Sequence, residues 1–224
     1  GGMANSRWGL RGVEDIGDGT KVIFTLESGF SPTNGSNFFP DNRIFGRQAW
    51  LGVDGRFGRL SFGRQYTTIF DMLFNFAPQG FSGGSEPVPA MTSFWADNII
   101  KYRYSTGPLV AQAHWGPGGQ PGSLSLGANY GAGLAWDTGT AAVTLAYDQI
   151  NTVQSGTMQT KNRLAAIAAR LTLGPAKLFA GYRYRDNTAA TGATALRDDL
   201  AWIGLRYQIG AAFTLTPAIY YDHV

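Results

Sequence analysis

Ser123-Leu124-Ser125-Leu126-Gly127-Ala128-Asn129-Tyr130-Gly131-Ala132-Gly133-Leu134-Ala135-Trp136 is the stretch on which the fold turns. Leu124, Leu126, Ala128, Tyr130, Ala132, Leu134 and Trp136 share one parity; Ser125, Gly127, Asn129, Gly131 and Gly133 share the other. A period of two puts these sets on opposite faces of a strand. One face is then apolar and the other small or polar. The pattern recurs at Lys21–Glu27, where Val22, Phe24 and Leu26 oppose Lys21, Thr25 and Glu27. At Asn98–Ser105, Ile100, Tyr102 and Tyr104 oppose Lys101 and Arg103. At Ala176–Arg185, Leu178, Ala180, Tyr182 and Tyr184 oppose Lys177, Gly181, Arg183 and Arg185.

Carried along the chain, the alternation predicts about twelve strands: 6–14, 20–29, 43–52, 58–66, 98–105, 109–115, 123–136, 141–149, 161–173, 176–185, 199–208 and 212–221. The Ala-rich middle of 161–173 also suits a helix, but Arg170 within it and Gly174-Pro175 after it favour a strand. Short turns fall at Asp15–Gly19, Val53–Phe57, Thr106–Pro108, Asp137–Thr140, Gly174-Pro175 and Ile209–Ala211. Longer loops fall at Phe30–Asn42, Thr67–Asp97, Gly116–Gly122, Ile150–Thr160 and Asp186–Asp198. Short and long connections alternate throughout. In an up-and-down sheet every second connection lies at the same end, so one end carries short turns and the other carries loops. Outer-membrane barrels obey that rule; a soluble sandwich has no reason to.

An apolar outer face surrounded by lipid also requires the backbone to pair within its own sheet. Trp8, Trp50, Tyr66, Trp115, Trp136 and Tyr221 near strand ends suit interface girdles. The expected fold is all-β, an antiparallel up-and-down transmembrane β-barrel forming one domain over 1–224. Composition agrees. Charged residues are 15% and aromatic residues 13%, with 31 Gly. No run approaches the roughly 18 apolar residues of a membrane helix. There is no Cys, which excludes disulfide and zinc-thiolate chemistry. The net charge of +3 is dispersed, which argues against a nucleic-acid arm.

Three stretches carry a more specific signal. They are Ser6–Asp15 (SRWGLRGVED) continuing into Lys21–Phe30 (KVIFTLESGF), then Phe45–Gly52 (FGRQAWLG), then Phe57–Tyr66 (FGRLSFGRQY). Together they resemble Gram-negative general porins of the β-proteobacterial type. The resemblance implies a barrel of about sixteen strands, usually a homotrimer, whose third outer loop folds inward. It also implies that this segment lacks the first strand and about the last three.

Further implications are location in the bacterial outer membrane, contact with the lipid bilayer and lipopolysaccharide, and passive diffusion of small hydrophilic solutes and ions. No cofactor or metal is implied.

A diffusion pore needs a narrow, charged, hydrated waist rather than a nucleophile. Loop 67–97 holds Asp71, Glu86 and Asp97 and takes the position of the family's inward loop. Pro78-Gln79-Gly80-Phe81 and Gly83-Gly84-Ser85-Glu86 only loosely follow the enteric constriction motif. Parity directs Arg7, Arg11, Lys101 and Arg103 inward, with Glu27 among them. The resemblance adds Arg47 and Arg64 to this basic ladder. Arg64 shares its parity with Leu60 and Phe62, so an inward position would need a bulge at Gly63. Arg185 and Arg197, near loops, read as solvated surface charges.

On the polar parity Arg7, Arg11, Lys21, Lys101, Arg103, Lys177, Arg183 and Arg206 outnumber Glu27 and Asp148, which predicts a weak anion preference. The rival classes are a sugar- or substrate-specific channel, with Phe74, Phe76, Phe81 and Trp95 as an aromatic slide, and a structural or adhesive barrel. A phospholipase-like enzyme is less favoured, because His114 and His223 have no nucleophile motif.

Overall fold

The computed structural model describes residues 6–37, 43–80, 87 and 94–224. In chain order the strands are β1 (Arg7–Gly17), β2 (Thr20–Gly29), β3 (Gln48–Gly55), β4 (Gly58–Tyr66), β5 (Trp95–Thr106), β6 (Leu109–Gly116), β7 (Asn129–Asp137), β8 (Ala141–Ser155), β9 (Met158–Leu173), β10 (Ala176–Thr188), β11 (Thr194–Ile209), β12 (Phe213–Leu215) and β13 (Ala218–His223). A short helix α1 (Thr68–Leu73) and a 3-10 turn (Phe74–Phe76) lie between β4 and β5. The strands form one 13-stranded antiparallel sheet in chain order, with β12 and β13 both pairing with β11. Among the described residues no helix is long and apolar enough to cross a membrane.

The sheet is inside-out by the standards of a soluble protein. On β8, Leu145 is 52% exposed while Asp148 is fully buried at 0%. Phe62, Tyr102, Trp115, Leu134, Ile167 and Ile203 are likewise exposed, and Ser61, Gln112, Thr144 and Arg183 are buried. Apolar side chains on an outer face stay favourable only where the solvent is itself apolar. The buried face is the one that carries α1, and it is called the inner face below.

The predicted strands are all present, with altered extents. Residues 123–128 alternate but lie outside β7, in an irregular segment held by a Gln120–Ser123 bridge. Residues 43–47 likewise precede β3. The expected strand 212–221 is two short strands, because Thr216 and Pro217 interrupt it and proline has no N–H to give the ladder. The loops expected at Ile150–Thr160 and Asp186–Asp198 are mostly strand, since β8 runs to Ser155, β9 starts at Met158, and β10 and β11 reach Thr188 and Thr194. Polar residues occupy both faces there, so the ladder continues where hydrophobic alternation has stopped.

Two of the expected girdle residues behave differently. Trp8, Trp115, Trp136 and Tyr221 are exposed. Trp50 instead pairs with Thr25 on the inner face, and its Nε1 donates to Gln48 Oε1 at 3.0 Å. Tyr66 stacks on Phe70 with ring centroids 4.4 Å apart.

Candidate functional site

The loop after β4 turns onto the inner face at once. Thr67 caps α1, its side chain accepting from Phe70 N at 3.4 Å. Six residues are too few for a stable isolated helix, so tertiary contacts must hold this one. Asp148 Oδ2 accepts from Ile69 N at 3.1 Å. His114 Nδ1 meets Thr68 Oγ1 at 2.8 Å and Thr68 N at 3.3 Å. Three N–H groups left unpaired by helix geometry are thereby satisfied. Beyond the first turn, Ile69, Met72, Leu73 and Phe76 pack with Ala142, Ala146, Leu164, Ala166, Ala168 and Trp202 in one buried cluster. Each large side chain so buried contributes about 1.5–3 kcal/mol.

Small residues make this seat. A Cβ at Gly133 would stand 2.7 Å from Met72 Cγ, and one at Gly131 would stand 1.8 Å from Asp148 Oδ1. The Ala-rich centre of β9, which also suited a helix, is small because a helix lies on it. The chain then crosses to β11, where Trp202 Nε1 donates to Phe76 O at 3.1 Å.

Toward the other wall α1 presents charge. Asp71 Oδ2 accepts from Lys101 Nζ at 2.8 Å and from Gln112 Nε2 at 2.9 Å. Lys101 also donates to Tyr66 O at 2.9 Å, and Arg103 Nη1 reaches Gln112 Oε1 at 3.1 Å. Asp71, Lys101, Arg103, Arg59, Trp50 and Gln48 help line a polar cavity of about 370 Å³.

Above it lies a buried pair. Arg47 Nε donates to Glu27 Oε1 at 2.6 Å, Arg47 Nη2 donates to Tyr66 Oη at 2.8 Å, and the guanidinium lies 5.1 Å over the Trp95 ring. Arg11 Nη2 stands 3.7 Å from Glu27 Oε2. Arg7 and Arg11 share the Glu27 face, since Gly9 is the partner of Glu27 in the ladder.

Arg64 and Asp97 stand apart from this cavity. The ladder does shift between Gly63 and Gln65, and Gly63 has φ +125°. The extra residue sits on β5, where Asn98 has φ +56°, while Arg64 stays in register with Ala49. The bulge therefore does not reverse the parity of Arg64. Its guanidinium goes to Gly46 O at 2.5 Å and Asp97 Oδ1 at 2.8 Å, and Arg43 takes the same carboxylate at 2.7 Å. Glu86 and Phe81 lie outside the described residues, as do Phe38, Phe39 and Pro40 of the preceding loop.

A sequence model described as Gram-negative porin matches residues 1–223. The chain belongs to the Gram-negative porin family. It is accordingly an outer-membrane chain. Over 103 residues it is 43% identical to the outer membrane porin protein of Bordetella pertussis, a match covering 44% of this chain and 26% of that protein. The anion-selective porin from Comamonas acidovorans superposes with a TM-score of 0.76 at 23% identity, covering 98% of this chain and 70% of that one. Salmonella typhi OmpF gives 0.71 at 16% identity, covering 96% and 70%. At such identities the superpositions show the fold.

Several residues of this porin site escaped the sequence reading. Gln112 and Thr68 hold the loop without any charge to mark them. Asp148 was visible as an inward acid, but its role as a helix anchor depends on α1. Arg185, expected as a surface charge, turns inward to the buried Asp198, as does Arg183. The aromatic slide is not assembled from its described members: Phe76 and Trp95 are buried, and Phe74 is exposed.

Proposed function

We propose that this porin chain forms an outer-membrane diffusion channel for small hydrophilic solutes and ions, with a weak preference for anions, as part of a homotrimer. Loop 67–97 is its constriction. The observation that carries the reading is the polar cavity between α1 and β3–β6, lined by the Asp71–Lys101 pair and by Arg103 and Arg59. Opposite charges across a narrow hydrated passage set up a transverse field that orders water and disfavours apolar solutes. Lys101 and Arg103 line the passage, Arg7 and Arg11 stand above it, and Arg47 with Glu27 braces its rim.

Charge balance supports the anion preference. Among the described inner-face residues Arg7, Arg11, Lys21, Arg59, Lys101, Arg103, Arg170, Lys177, Arg183, Arg185 and Arg206 face Asp15, Glu27, Asp54, Asp137, Asp148, Asp198 and Asp222. Bases predominate. The homotrimer rests on kinship, since a related structure is described as a trimer form. The outer face meets lipid, lipopolysaccharide included.

The test uses the full-length porin in planar bilayers and liposomes. A salt gradient should give a reversal potential of anionic sign, and swelling rates should fall smoothly with sugar size. Cation selectivity overturns the preference. Uptake of a single sugar out of size order supports a substrate-specific channel instead. Absence of conductance supports a structural barrel.

A further inference from the structure

Lys177 on β10 and Arg206 on β11 are direct cross-strand partners on the inner face. Like charges placed opposite each other destabilise a sheet, so this pair calls for a counter-charge. Among the described residues, the carboxylate bonded to this cluster is Asp137, and it is taken by Arg170 at 2.8 Å. Arg206 spends one nitrogen on Pro78 O at 2.5 Å and lies 5.4 Å over the Phe179 ring. Between them opens a cavity of about 250 Å³ bounded by Lys177, Arg206, Arg170, Phe179 and Phe74. Lys177 stands one residue into β10, beside the Gly174-Pro175 turn. The cavity therefore lies at the short-turn end, which is periplasmic in such barrels, on the wall opposite Lys101 and Arg103.

The geometry points to a subsite for a small aromatic carboxylate, its charge between Lys177 and Arg206 and its ring against the exposed Phe74. Two cations that repel each other gain more from a shared anion than either would alone. The ring accounts for the apolar half of the lining, which chloride would leave wet. The volume suits a ligand well below drug size. This inference rests on the channel reading, and it places an organic-anion station after the waist on the inward path.

Benzoate and acetate, added on the short-turn side of single channels of the full-length porin, provide the test. Benzoate should block at about one-tenth the concentration of acetate. Lys177→Glu should raise the half-blocking benzoate concentration about tenfold. Phe74→Ala should erase the difference between the two anions. Equal block by both anions in the native channel overturns the proposal, as does an unchanged half-block in Lys177→Glu. If Lys177→Glu does not insert, Lys177→Gln carries the same comparison. If the native porin conducts nothing, the channel reading fails on its own. Saturation-transfer NMR of benzoate on the solubilised porin then decides the subsite, with loss of transfer in Lys177→Gln expected and undiminished transfer overturning it.

Discussion

The inner faces of β7–β9 and of β1–β5 belong to one sheet and are built on opposite rules. The first presents Gly131, Gly133, Ala142, Thr144, Ala146, Ala166 and Ala168, and α1 lies directly on it. The second presents Arg11, Glu27, Trp50, Arg59, Lys101 and Arg103, and it borders a polar cavity. Side-chain volume thus decides where the loop lies, and charge on the far wall decides what the remaining passage favours. A waist follows from the difference between the walls and not from either one alone.

The charged wall is itself uneven, and its driest point should give the largest effect. Arg47 and Glu27 side chains are 6% and 9% exposed. Removing one partner of a buried pair costs about 3–5 kcal/mol, because a charge is left behind. Arg47→Ala should therefore lower the denaturation midpoint of the folded porin far more than Arg11→Ala, whose side chain is 74% exposed. Equal losses in the two variants would mean that the rim is as wet as the cavity below it.

Next in size is an attack on the packed wall. Gly133→Leu would place a side chain where Met72 now sits. Overpacking costs about 1–3 kcal/mol, and a six-residue helix has little reserve against it. The expected outcome is displacement of α1, read as higher single-channel conductance and protease cleavage between Thr68 and Phe76. Leu134→Ala, on the outer parity of the same strand, should do neither. If both variants conduct as the native channel does, the small residues are not what seats the loop.

This contrast also explains what the sequence disclosed. The barrel was legible because lipid outside and water inside impose a period of two on every spanning strand. Lys101 and Arg103 could be read as inward from Ile100, Tyr102 and Tyr104 alone. The seat of α1 was not legible in the same way, since Ala142, Ala146, Ala166 and Ala168 are small for a reason that lies about seventy to a hundred residues away. Parity also fails where a strand ends or bulges. Trp50 kept strict alternation and so was inward all along, but its size suggested a girdle. Arg64 depended on which strand carried the extra residue at the Gly63 shift, and nothing in the local sequence distinguishes β4 from β5. The long hairpins beyond Gln149 and Arg185 were missed because water bathes both of their faces and erases the alternation.

The smallest stability effect is the most informative about the passage. Lys101 and Asp71 are bonded at 2.8 Å, with side chains 12% and 24% exposed beside the polar cavity. This pair is less buried than Arg47 and Glu27 and should cost less to break, and Gln112 still holds Asp71 when Lys101 is gone. Lys101→Gln and Asp71→Asn should therefore each loosen α1 slightly and to a similar degree, seen as matched increases in open-channel noise. Their effects on selectivity should have opposite signs. Lys101→Gln removes a positive charge from the passage and should shift the reversal potential toward cations. Asp71→Asn removes a negative charge and should shift it toward anions. Both shifts should shrink as salt rises from about 0.1 M to 1 M, since the screening length falls from about 10 Å to 3 Å. Shifts of the same sign in the two variants would mean that the pair acts only by holding the loop. Selectivity would then have to arise from charges above or below it, with Arg7 and Arg11 at the rim and Lys177 and Arg206 at the short-turn mouth as the next residues to neutralise.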